Sequence, residues 1–143
     1  MLHIYIDTIP HSEQRYPTVG DYWEADMGAQ VLGGTKADPQ IKVTKSREVR
    51  ISSMENEDYE FLVAIHELIE QHLCKKRGIS EERITSFDML YEQNRPAGDV
   101  SEPGNDTRAP YYHEHQFATS IEMQIAAALG VDWDVYDKTV NSL

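Results

Sequence analysis

Tyr59-Glu60-Phe61-Leu62-Val63-Ala64-Ile65-His66-Glu67-Leu68-Ile69-Glu70-Gln71-His72-Leu73-Cys74-Lys75-Lys76 carries one unbroken helical period. Phe61, Leu62, Ile65, Leu68, Ile69 and Leu73 recur at spacings of three and four, which predicts a helix with one apolar stripe. Asn56 or Asp58 can cap its start, and Glu57 and Glu60 suit the positive end of its dipole. Lys75, Lys76 and Arg77 suit the other end, where Gly78 can take the left-handed turn that stops a helix.

Upstream of this helix the period changes to two. Residues 2–7, Ile41-Lys42-Val43-Thr44 and Glu48-Val49-Arg50-Ile51 predict three short strands with one wet face. Between them, residues 8–39 carry Pro10, Pro17, Gly20, Gly28, Gly33, Gly34 and Pro39, so they read as mostly irregular, with a short element around Asp21–Ala29. Downstream, Ser80 opens a second helix running to about Gln93, and Pro96, Gly98, Pro103 and Gly104 mark a long loop over 95–109. Pro110 then starts a third helix that runs to Gly130, and 131–136 reads as a short docking helix. Strands first and helices afterwards predict an α+β fold: a small N-terminal β-sheet followed by two long helices with a shorter helix between them. The 143 residues fit a single domain, 1–143, long enough to bury a core without staples.

Composition narrows the partners. The net charge of -12 repels phosphates, so nucleic acid is a poor partner. No apolar run reaches the length of a membrane span, and residues 1–7 lack the basic start and apolar run of a signal peptide. Cys74 is the single cysteine, which excludes an internal disulfide and fits a reducing compartment; within the helical stripe it reads as a small core residue. The acidic surface serves solubility first, and attraction to cations or a basic protein partner second.

The chemistry centres on His66 and Glu70. Four residues apart, they project from one helical face, the same face as Leu62, Ile69 and Leu73, and a carboxylate on that side needs a cation or several donors. The plain alternative is a satisfied core histidine with a glutamate at the helix margin. On the third helix His115 and Glu122, seven residues apart, share a face with the small Ala118 and Thr119 between them. If the two long helices pack antiparallel, His66, Glu70, His115 and Glu122 converge as a metal-ligand set for a divalent ion, zinc by preference, with manganese or iron also suited. His113, two residues from His115, points elsewhere. Glu67 follows His66 as the general base does in the zinc-protease pattern His-Glu-x-x-His, although Glu70 stands where that pattern has its second histidine. Asp88 reads as an exposed helix acid, the Arg15–Trp23 stretch as core, and Gly33-Gly34 as a turn.

Phe61 through Glu70, Glu102-Pro103-Gly104-Asn105-Asp106, Ala109-Pro110-Tyr111, His115, Ile121-Glu122 and Leu129-Gly130-Val131-Asp132-Trp133 together resemble a family of small, largely uncharacterised proteins of phage and prophage genomes with a zincin-like His-Glu-x-x-Glu helix. The resemblance implies a cytoplasmic location in a bacterium or phage-infected cell, and no established activity.

Three functions compete. The first is a zincin-like metal-dependent hydrolase acting on a peptide or small amide, with metal on His66, Glu70, His115 and Glu122 and Glu67 as catalytic base. The second is a nucleotide pyrophosphohydrolase, for which Glu67 and Glu70 give the Glu-x-x-Glu spacing but the histidines suit magnesium poorly. The third is a non-enzymatic phage protein with a structural metal clasp and a protein partner.

Overall fold

The computed structural model describes residues 2–143. The chain is α+β, with a three-stranded mixed sheet followed by four helices. Strand β1 (His3–Ile9) lies parallel to β3 (Pro39–Ser52), and β2 (Gly20–Gly34) runs antiparallel along β3's other edge, giving the order β1-β3-β2. The helices are α1 (Glu57–Lys76), α2 (Glu81–Asn94), α3 (Tyr112–Leu129) and α4 (Trp133–Val140).

Two expectations about the sheet are corrected. Residues 41–44 and 48–51 belong to one strand of 14 residues, not two. Lys45 and the buried Arg47 interrupt the apolar alternation without interrupting the backbone ladder, and Arg47 reaches His72 Nδ1 at 2.7 Å. Most of the stretch read as irregular is the 15-residue β2. Its glycines are accommodated by two register shifts, at Asp26/Gly28 and Val31/Gly33, and Gly28 adopts φ 152°, a conformation that favours glycine.

The helix starts obey their capping residues. Asn56 Oδ1 accepts from the Tyr59 amide, Ser80 Oγ from the Arg83 amide, and Asp132 Oδ1 from the Val135 amide. Gly130 ends α3 in the left-handed conformation, φ 72°. Pro110 lies just ahead of α3 rather than in its first turn, which begins at Tyr112.

Helix α1 lies over the sheet, burying Val49, Ile51 and Tyr22 against Leu62, Val63 and Ala64. Cys74 is buried in the same core, as its place in the stripe predicts. Helix α3 packs on α1, with the fully buried Ala118 on its inner face. His66 meets Glu122 while Glu70, further along α1, meets His115, earlier on α3, so the two helices run antiparallel. Among the described residues no helix is long and apolar enough to cross a membrane.

Candidate metal centre

The core-facing stripe of α1 contains His66, Glu70 and Gln71 as well as apolar residues. Facing it across the helix pair are His115 and Glu122 of α3, both buried. Three donor atoms meet there. His66 Nε2 lies 3.1 Å from His115 Nδ1 and 3.2 Å from Glu70 Oε2, and His115 Nδ1 lies 2.9 Å from the same oxygen. Donors held about 2.0–2.1 Å from one ion stand about 3.0 Å apart in a facial octahedral set and about 3.3 Å in a tetrahedral one. The triangle therefore fits a single first-row ion, and its two imidazoles and one carboxylate suit zinc, manganese or iron.

The outward ring nitrogens explain how the inward ones are oriented so that they could hold a metal ion. His66 Nδ1 donates to Glu122 Oε2 at 2.8 Å, and His115 Nε2 donates to Glu102 Oε2 at 3.2 Å. With each proton fixed outward, a neutral ring turns a lone pair inward. Tyr22 Oη donates to Glu70 Oε1 at 3.0 Å, leaving Oε2 for the triangle, and Tyr136 Oη donates to Glu122. Three lone pairs facing one point repel unless a cation lies between them. Without a metal, protons serve: burial opposes a charge on His115, but Glu102 and Glu70 outweigh it and push its pKa up to about 9. Burial likewise opposes a charge on His66, yet Glu122 and Glu70 raise its pKa well above the usual value. Burial would raise Glu70, but the two histidines hold it down at about 2.

All of these groups line one cavity of about 330 Å³, within the size range of small-ligand sites. Glu67 lines it beside Gly20, and a Cβ built on Gly20 would overlap the Glu67 side chain. Burial and the adjacent Glu70 charge push Glu67 well above the ordinary carboxylate range. On the wall formed by α2, Asp88 accepts from Tyr111 Oη at 2.5 Å and Tyr16 Oη at 3.2 Å. Burial, aided by Glu70, raises its pKa to about 7 against those two donors. Asp88 is thus buried, not the exposed acid its sequence context suggested; Ile84, one turn earlier, is a core residue and puts position 88 on the inward stripe.

Of the five predicted site residues, His66, Glu70 and His115 stand in direct mutual contact, Glu122 touches His66, and Glu67 shares their cavity. Glu122 sits behind His66 rather than at the triangle. His113 is exposed. Sequence reasoning passed over Glu102, Tyr22 and Tyr136. Gly104, whose Cβ would overlap the His115 ring, lets the loop that carries Glu102 press against that histidine, a contact with no signal in the sequence. Compared with models of known protein families, with characterised proteins and with solved structures, the chain matches none of them.

Proposed function

We propose that this protein is a metal-dependent hydrolase of zincin-like design, acting on a peptide or another small amide. The observation that carries the reading is the triangle of His66 Nε2, His115 Nδ1 and Glu70 Oε2, no edge longer than 3.2 Å, set in the wall of a cavity with Glu67 alongside. Three protein donors leave a further coordination position for water or substrate, whereas structural zinc sites are usually closed by four. A divalent ion held there would polarise a carbonyl and lower the pKa of water that it binds. Glu67 is the proton acceptor: burial and the neighbouring Glu70 charge raise its pKa, which makes it a stronger base than an ordinary carboxylate, and its position on α1 turns it away from His66 by about 100°. Glu102 and Glu122 hold the histidine tautomers, and Tyr22 keeps Glu70 to one donor oxygen.

The cavity wall lends little to a nucleotide pyrophosphohydrolase. Its single Lys or Arg among the described lining residues is Arg95, paired with Glu92 at 2.5 Å. A structural clasp is the second reading, favoured by the dense network of tyrosines and carboxylates around the triangle. The proposed setting is a reducing compartment such as the bacterial cytoplasm, where the buried Cys74 stays a thiol, and the phage-protein resemblance belongs to the same proposal.

The test has two arms. Zinc added to chelator-treated protein raises its melting temperature by mass action, and His66→Ala abolishes the rise. Glu67→Gln keeps that rise but loses hydrolysis in a screen of peptides and small amides. Equal melting curves with chelator and zinc overturn the metal site; an active Glu67→Gln protein overturns Glu67 as base.

A further inference from the structure

Strands β2 and β3 continue far beyond the part of the sheet that α1 covers. Strand β1 pairs only with residues 46–52 of β3, so residues 26–45 form a two-stranded arm, exposed throughout 26–43. The pairing register sorts its side chains. Ala29 opposite Val43 and Val31 opposite Ile41 form one face, while Gln30 opposite Lys42 lies on the other. The apolar face is bare: Val31 is 66 %, Ile41 53 % and Val43 47 % exposed. Met27 and Leu32, at the two register shifts, add 44 % and 61 % exposed side chains. Isolated two-stranded hairpins are at best marginally stable in water, so an uncovered arm of this length calls for a covering surface.

We infer that the apolar face of this arm packs against the same face of a second copy of the chain, forming a two-fold dimer. Three observations select that occupant. The arm carries Lys36, Lys42 and Lys45 against Asp26 and Asp38, net +1, in a chain of -12, so the remainder carries -13. It is the region through which two such acidic molecules meet with least repulsion. The face is aliphatic, and the complement of an apolar β face is another β face at about 10 Å. The three side chains of this face and the two at the register shifts together expose on the order of 500 Å² per copy, so at most about 1,000 Å² is available to a pair, the lower bound for a specific interface. The approach is face to face rather than edge to edge, because Pro39, Lys42, Lys45 and the two register shifts blunt the edges.

Sedimentation or light scattering on the purified 143-residue chain, across micromolar concentrations, tests this. The expected mass is two copies of 16.4 kDa, falling to one copy for Ile41→Lys with an unchanged circular dichroism spectrum. Should that variant fail to fold, Ile41→Thr, which keeps the β-branch, is expected to weaken dimerisation at least tenfold. A monomer at every concentration, a higher oligomer, or a dimer indifferent to a folded position-41 variant overturns the inference.

Discussion

Glu122 and Glu102 hold the outward nitrogens of His66 and His115, and their removal separates a supporting role from direct ligation. Glu122→Gln is expected to weaken zinc binding roughly 10- to 100-fold, the usual effect of losing a carboxylate behind a metal-bound histidine. Isothermal titration with the metal reads this, and complete loss of binding would make Glu122 a ligand in its own right. Glu67→Gln should leave affinity intact and lower the rate on the order of 100- to 10,000-fold. The pair His66 and Glu70 was legible because its geometry is local to one helix. His115 and Glu122 were legible one step further, through a shared face and an assumed helix pair. Glu102 and Tyr22 were not, because a loop residue and a strand residue reach the centre only through tertiary packing. Asp88 had a signal in its spacing of four from Ile84, but a charged type outweighed it.

At the scale of elements, the helices were readable and the strands only partly so. The caps at Asn56, Ser80 and Asp132 are side chains bonding their own helices, a code that tertiary structure does not alter. Asn56→Ala should therefore destabilise the fold by about 1 kcal/mol, visible as a lower urea midpoint, through loss of the bond to the Tyr59 amide. If the midpoint is unchanged, α1 is held by packing alone at that end. The strands were misjudged because breaker residues were weighed as though every strand had to be regular and covered. Gly28, Gly33 and Gly34 sit in an exposed, shifted arm, where neither condition applies.

For the whole molecule, the buried centre ties stability to pH. The pKa of His115 in the metal-free fold, about 9, lies above its ordinary 6.5. Its proton thus contributes stability that is complete below about pH 6.5 and is lost as pH rises through 9. Glu70 works in the opposite sense: held at about 2 instead of 4.5, it contributes above 4.5 and its contribution is lost as pH falls towards 2. Metal-free protein should accordingly show a melting temperature that drops on the alkaline side. With zinc the alkaline limb should flatten, since the ion takes the place of the histidine protons and its binding releases them. Thermal melts from pH 4 to 10, with chelator and with zinc, check both limbs; superimposable curves would mean that the triangle holds no ion.

The parallel pairing of β1 with β3 also has a kinetic side. Residue 3 must find residue 46, across an intervening hairpin whose own contacts close much shorter loops. Loop closure over that separation is slow and is rewarded only once β3 exists. The first strand to be synthesised is therefore expected to be the last to dock. In a pulse-labelled refolding experiment, amides of β2 and β3 should gain protection before those of residues 3–9. Until then β3 presents an open edge on a half-built sheet, the stage at which this chain is most exposed to misassembly.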